Sequence, residues 1–150
     1  MDSLPGLRTW ILAVLVFGLL GTMTELLLLR HYEDRAQYLP LVLIGLALAF
    51  AGWHAARPSA VSVRALQAAM TLFLVAGIAG MVFHFQGAAA FQRELNPTQP
   101  SWDLVTKVMR AQTPPVLAPG MMLQLGLIGL VHTYRHPALT AGVSSTRSDR

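Results

Sequence analysis

The sequence predicts an all-α fold, an integral membrane four-helix bundle, and two properties of the chain lead to this prediction. Hydrophobic residues make up 54% of the 150 residues and charged residues only 12%, about half the charged fraction of a soluble domain. So few charges cannot cover a folded core with polar surface, whereas hydrocarbon requires no such cover. The hydrophobic residues also fall into four long stretches that are nearly free of charge: residues 10–29, 39–56, 65–85 and 116–134.

Each stretch has about the length that a helix needs to cross a bilayer core. Backbone groups in hydrocarbon must bond within the protein, and apolar runs that do not alternate with polar residues are helices, not barrel strands. The Trp and Tyr residues support these boundaries, because all of them lie at predicted helix ends or in connections, the depth such rings prefer. They are Trp10, Tyr32, Tyr38, Trp53, Trp102 and Tyr134.

The longest connection, residues 86–115, contains a second kind of helical pattern. Ser101 is a suitable N-cap, and apolar residues follow it at roughly helical spacing up to Met109. This pattern predicts either a short amphipathic helix in the membrane interface or a loop with some helical character. Residues 137–150 are rich in Ser, Thr and Arg, and we expect a disordered polar tail after the single domain of residues 1–136.

Four spans place both termini on the same side of the membrane. That side carries six Arg residues and the opposite side five Arg or Lys residues, so the positive-inside rule favours cytoplasmic termini. We expect a multi-pass protein of the bacterial inner membrane, with the lipid bilayer as its surroundings.

Several classes of function are excluded by composition. The chain has no cysteine, which removes disulfides, thiolate metal sites and cysteine nucleophiles. Its net charge of +4 is spread over loops and tail, without the basic stripe of a nucleic-acid-binding protein. Hydrolase and nucleotide-binding motifs are absent from the sequence, so no catalytic residue and no enzymatic activity are predicted.

Glu25 is the principal candidate for a functional residue, because a carboxylate within a spanning helix is costly. Gly18, Gly21 and Thr22 share its stripe at helical spacing, which predicts that Glu25 points into the bundle. Three interpretations remain open. Glu25 is a polar clamp between helices, a ligand, proton or ion site, or a side chain that reaches to the interface. As a binding site it would form an outward-opening pocket with Gln124, His84 and Thr22.

The histidines form a second pattern. His31 and His84 map to the outer boundary, and His54 and His132 map to the inner one. Two histidines from different helices at one depth are what a b-type haem requires. All four lie at helix ends, however, and these positions favour interfacial histidines without a ligand role. No cofactor is predicted beyond this option. A metal site is a weaker alternative, with His31, His84 and Glu25 as its candidate ligands, and His136 is interpreted as part of a cationic flank.

Small residues on one helix face predict close helix packing. They have three-residue spacing in the first span, Gly18 and Gly21, and four-residue spacing in the second, Ala47, Ala51 and Ala55, and in the third, Ala76 and Gly80. Because packing signals outnumber chemical ones, the leading hypothesis is an accessory or assembly subunit of a larger membrane complex, or a homo-oligomer. The alternatives are a unit that binds or transports a small molecule, ion or proton near Glu25, and a haem-binding redox subunit.

Overall fold

The computed structural model describes residues 3–30, 37–110 and 117–140, and within these residues all regular structure is helical. Five helices follow one another along the chain: α1 (Ser3–Leu28), α2 (Tyr38–Ala56), α3 (Ala60–Leu95), α4 (Ser101–Met109) and α5 (Leu117–Thr133). Residues 137–140 add one helical turn, and the rest of the predicted tail lies outside the described residues. The predicted all-α class is confirmed.

Among the described residues, three helical segments are long and apolar enough to cross a membrane: Pro5–Leu28, Tyr38–Ala56 and Ala60–Leu95. They correspond to the first three predicted spans, and they are consistent with a membrane protein. The fourth apolar helix, α5, has 17 residues. At ~1.5 Å per residue it is ~26 Å long, slightly shorter than a typical hydrocarbon core of ~30 Å.

Helix α3 is longer than the apolar pattern indicates. It begins at a capping box, in which the Ser59 hydroxyl accepts from the Ser62 N–H and the Ser62 hydroxyl accepts from the Ser59 N–H. It has 36 residues and ends at Leu95, ten residues beyond the predicted span. Hydropathy marks where the oily segment ends, but a helix continues until a residue breaks it, and the first Pro after the start of α3 is Pro97.

Helix α4 packs against this extension of α3. The predicted helix over residues 101–109 is present, and its buried side chains are Leu104 and Val108. Both belong to a small apolar cluster with Ala89, and Phe85 packs against it. Trp102, on the other side of α4, is 74% exposed.

The four apolar helices contact one another in a closed order. Helix α1 touches α2 and α5, and α3 touches the same two helices. Their shared core is formed by large side chains from all four helices, including Leu15, Leu19, Ile44, Phe73 and Leu125. Helices α3 and α5 approach most closely at glycines. A Cβ atom at Gly126 would lie 2.9 Å from the carbonyl oxygen of Met70.

The residues predicted for close packing have different surroundings. Ala47 and Ala51 are buried, Ala76 packs against the core, and Ala55 is exposed. The three glycines differ in what an added Cβ atom would contact. A Cβ atom on Gly80 would touch Pro119 and one on Gly18 would touch Leu125, whereas one on Gly21 would meet nothing within 4 Å.

Candidate functional site

Three histidines converge at the end of the helices where α2 and α5 finish and α1 and α3 begin. His54 lies in the last turn of α2, His132 in the last turn of α5, and His136 just after the turn that follows α5. The ring centroid of His54 lies 5.3 Å from that of His132 and 4.8 Å from that of His136. One nitrogen of each ring lies within 4.8 Å of one nitrogen of each of the others. We call these residues the three-histidine cluster.

Arg8 of α1 holds His132 through a reciprocal pair of hydrogen bonds. The Arg8 Nη1 donates to the His132 carbonyl at 2.6 Å, and the His132 Nδ1–H donates to the Arg8 carbonyl at 3.1 Å. The direction of the second bond is fixed because a carbonyl oxygen can only accept. Nη2 of Arg8 also donates to the carbonyls of Tyr134 and Arg135, so the guanidinium satisfies carbonyl groups at the C-terminal end of α5.

This arrangement leaves the other ring nitrogen of His132 with a lone pair. His132 is only 3% exposed, and its Nε2 has no hydrogen-bond partner among the described residues. With Nδ1 protonated, the Nε2 of a neutral imidazole is an acceptor. A buried acceptor without a donor costs free energy, and a bound cation is one group that would remove this cost.

The Ser62 hydroxyl contacts the ring of His54. It lies 3.2 Å from His54 Nδ1, and it is also within hydrogen-bond distance of the carbonyl oxygens of Ser59, at 3.0 Å, and Arg57, at 3.2 Å. When the hydroxyl proton goes to a carbonyl, His54 Nδ1–H donates to the hydroxyl and Nε2 carries the lone pair. When it goes to Nδ1, the proton of the neutral ring is on Nε2. The capping box that starts α3 thus also orients a ring on α2.

His136 completes the cluster from outside the helices. Its Nδ1 accepts a hydrogen bond from the Ala138 N–H at 3.2 Å. A metal ion would bind the Nδ1 of His136 in place of the Ala138 N–H. Alternatively, it would bind Nε2 once the ring proton had moved from Nε2 to Nδ1. Burial, reinforced by the neighbouring His54 and the positive charge of Arg8, lowers the pKa of His136 below its ordinary value of 6.5. The site therefore favours the neutral imidazole, the form that binds metals.

A cavity of about 550 Å³ adjoins the cluster. All three histidines line it, together with the cationic residues Arg8 and Arg135 and apolar residues such as Leu12 and Pro58. None of the lining residues that the structure describes is acidic. The ligand set that faces this cavity is thus three imidazoles, without carboxylate or thiolate.

Imidazole ligands suit zinc, copper, nickel, cobalt and iron, and disfavour magnesium and calcium, which prefer oxygen. Three histidines with an open fourth position are one of the known zinc arrangements. With bonds of about 2.0–2.1 Å, a tetrahedral ion would place its nitrogen ligands roughly 3.3 Å apart. The nitrogen atoms, which lie within 4.8 Å of one another, would therefore draw closer by up to about 1.5 Å when an ion binds.

The residues of the predicted Glu25 pocket lie elsewhere. The structure differs from the predicted inward orientation of Glu25, whose side chain is exposed, as are those of Gln124 and His84. Thr22 is buried, and its hydroxyl donates to the Gly18 carbonyl of its own helix. At ~100° per residue, Glu25 lies roughly 90° around α1 from the stripe that faces the core. The cavity beside the three-histidine cluster has none of the four in its lining.

The structure describes both histidines of only one of the two pairs considered for haem. His31 lies outside the described residues, so its pairing with His84 has no structural description. His54 and His132 do lie together, as their common depth predicts, but their rings meet edge to face. A haem between them would first have to part the rings. Of the weaker metal candidates, His84 and Glu25 are both exposed and belong to different helices.

Three residues of the site were not identified from the sequence: His136, Arg8 and Ser62. The spacing His132-x-x-x-His136 was a usable signal, since histidines four residues apart often share a metal. No helical face explains this pair, however, because α5 ends at Thr133 and the chain turns at Arg135, which has a φ of 47°. Arg8 is separated from His132 by 124 residues, and no local pattern predicts that contact.

Comparisons with known proteins reveal no relative. No family model matches the chain, and no curated protein sequence or solved structure is significantly similar to it. The fold and its composition define the class, a helical protein with three helices long and apolar enough to cross a membrane. Any more specific function must be argued from the site itself.

Proposed function

We propose that this protein is a four-span membrane protein that binds a divalent transition-metal ion, zinc above all, through His54, His132 and His136. The observation that carries the proposal is the buried Nε2 of His132, which has a lone pair and no partner among the described residues. Its ring is oriented by a hydrogen bond from the other nitrogen to a backbone carbonyl. Backbone carbonyls orient metal-binding histidines in this way in many proteins.

In this proposal α5 is the fourth span and α4 lies in the membrane interface. Helix α5 packs along α3 from Gly129, near Met70, to Pro119, near Gly80, which is the course of an antiparallel neighbour. The ion joins the ends of α2 and α5 and the chain that follows α5. Because α2 is distant in sequence from α5, metal binding would also stabilise the packing of these helices.

Metal binding is tested by titration of the purified, chelator-washed protein, without a histidine tag, by calorimetry with Zn²⁺. We expect one ion per chain. His132→Asn keeps a donor for the Arg8 carbonyl but removes the ligand nitrogen. It should weaken Zn²⁺ binding by at least about 10- to 100-fold, the effect typical of losing a group that only hydrogen-bonds to a metal ligand. His84→Ala, an exposed histidine outside the cluster, is the matched control and should bind like the wild type. Equal affinity for all three proteins would contradict the proposal.

A second candidate function is the accessory or assembly role, which the outer face of α1 favours. Glu25 lies exposed on this apolar helix, where lipid would surround it unless another chain covers it. A carboxylate facing hydrocarbon costs up to ~2.5–3.5 kcal/mol at the bilayer centre. A shallow groove of about 420 Å³, lined by residues such as Ala13, Val16 and Phe17, runs along the same helix.

Two variants of Glu25 test this role and the alternative of a ligand, ion or proton site. Glu25→Gln retains hydrogen bonding without charge, and Glu25→Leu retains neither. A partner helix that bonds to Glu25 should co-purify in mild detergent with the wild type and Glu25→Gln, and be lost with Glu25→Leu. A proton or ion site should fail in both variants while the fold is intact. A visible absorption spectrum of the same preparation tests the haem alternative.

A further inference from the structure

The cavity beside the three-histidine cluster is cationic before any ion enters it. Arg8 and Arg135 line it, and none of its described lining residues carries a negative charge. Three neutral imidazoles would leave the two positive charges of a bound divalent ion uncompensated. A divalent cation beside two guanidinium groups in a partly buried site is unfavourable unless an anion is bound with it.

The geometry provides a place for such an anion. Three histidine ligands leave one position open in a tetrahedral zinc site, and all three histidines face the same cavity. Arg8 already donates to backbone carbonyls, so it contributes mainly charge. The guanidinium of Arg135 lies 5.4 Å from the centre of the Tyr134 ring, and its side chain is exposed. Guanidinium groups bind phosphate oxygens especially well.

The depth of the cavity favours phosphate over other anions. Exposed aromatic rings mark the same end of the helices: Trp10 of α1 is 74% exposed, Trp53 of α2 41%, and Tyr134 after α5 63%. Such rings prefer the level of the lipid headgroups. The most abundant oxyanion at this level is the phosphate of the lipids themselves.

On the basis of the proposed metal site, we propose that the metal ion is bound together with a phosphate group. The phosphate occupies the fourth coordination position and is flanked by Arg8 and Arg135. The group comes either from a lipid headgroup or from free phosphate, since both offer the same charged oxygens.

Cobalt(II) reports on both proposals, because its visible absorption bands depend on its ligands. The full-length protein in a maltoside detergent free of phosphate is titrated with Co²⁺ in three conditions of equal ionic strength: chloride alone, inorganic phosphate, and solubilised phosphatidic acid. We expect bands in all three. Phosphate or the lipid should change the bands and tighten Co²⁺ binding about tenfold, and by linkage Co²⁺ should tighten phosphate binding by the same factor.

Arginine variants separate charge in the cavity from charge elsewhere. Arg135→Gln leaves the three histidines in place. It should remove most of the gain in Co²⁺ affinity caused by phosphate, measured as the ratio of the affinities with and without phosphate in the same variant. The matched control is Arg64→Gln, an exposed arginine of α3 that does not line the cavity. It should behave like the wild type.

The outcomes are distinguishable. Absence of Co²⁺ bands in every condition overturns the metal site itself. Bands and affinities that are the same in chloride, phosphate and lipid overturn the bound phosphate while retaining the metal site. A response to the lipid alone supports the proposal with a headgroup as the source, and a response to inorganic phosphate alone supports it with free phosphate.

Discussion

His132 combines two properties that usually exclude each other, deep burial and an unused nitrogen. Its Nδ1–H bonds to Arg8 of α1, while its Nε2 has no partner in the described part of the chain. Polar atoms in this position normally find a partner. His54 also forms a hydrogen bond through its Nδ1, with the hydroxyl of Ser62. The cluster is thus formed by the hydrogen bonds behind the rings, and not by the histidines alone.

At the residue scale, the stability of the metal-free protein should decrease on acidification. Burial, the neighbouring His54 and Arg8 lower the pKa of His136 in the folded chain, so the unfolded chain binds more protons as the pH falls through 6.5. The contribution of His136 is therefore present above that pH and is lost below it. His132 and Arg135 also lie beside the His136 ring, and neither carries a negative charge that would raise its pKa.

Thermal unfolding of chelator-treated protein in detergent, followed between about pH 8 and about pH 5, measures this dependence. The midpoint should fall with pH, and it should fall less steeply in His136→Gln. A midpoint that rises on acidification, or an identical slope in the variant, would show that the ring is not held in its neutral form.

At the element scale, the contact between α3 and α5 depends on the absence of side chains. Besides Gly126, a Cβ atom at Gly77 would lie 2.9 Å from the carbonyl oxygen of Pro119. Backbone atoms cannot rotate away as a flexible side chain can, so an added methyl group must separate the helices. These two glycines were not among the small residues singled out by their spacing.

Gly126→Ala should therefore destabilise the protein relative to Gly120→Ala. Both changes are in α5 and gain the same helix propensity, but a Cβ atom at Gly120 meets nothing within 4 Å. We expect Gly126→Ala to be less stable by about 1–3 kcal/mol, the typical cost of overpacking. Unfolding of both variants in the same detergent measures the difference, and equal stabilities would contradict the close approach.

Helix α4 should be the least stable element that packs on the main body. It has nine residues, too few for a helix that is stable alone, and it depends on Leu104 and Val108 against α3. Leu104→Ala should release it, with a cost of about 2–5 kcal/mol. Hydrogen exchange of the α4 amides should then accelerate while the core of α3 is unchanged. Trp102→Ala, at an exposed position, should have little effect on this exchange.

At the scale of the whole molecule, the order of helix contacts places the starts of α1 and α3 beside the ends of α2 and α5. The three-histidine cluster forms at this shared end, and the extension of α3 with α4 lies at the other. Residues 136–140 follow α5 at the end that holds the cluster, so the tail after residue 140 begins there. If α5 did not cross the membrane, the tail would lie on the opposite side and the cluster could not form as described.

The absence of cysteine makes this topology directly testable. Single replacements Ala56→Cys, Thr98→Cys and Ser145→Cys are treated with a membrane-impermeant maleimide in intact cells. In the four-span topology with cytoplasmic termini, only Thr98→Cys should be labelled before lysis. Labelling of both Thr98→Cys and Ser145→Cys would show that α5 does not cross.

The predictable part of the fold depended on local properties of the chain. Long apolar stretches without charges predict helices wherever they occur, since each helix satisfies its own backbone groups in hydrocarbon. The starts and ends of α1, α2 and α5 therefore agree with the predicted stretches to within a few residues, apart from the early start of α1 at Ser3. The common depth of His54 and His132 was predictable for the same reason.

The sequence by itself determined that this chain is helical, that its helices are apolar, and that its chemistry excludes cysteine. Only the tertiary structure decided that Glu25 faces outward and that Arg8, His54, His132 and His136 meet. The reason is physical. Helix formation depends on neighbours a few residues apart, whereas the rotation of α1 depends on how Leu, Phe and Met side chains of distant segments fill one core.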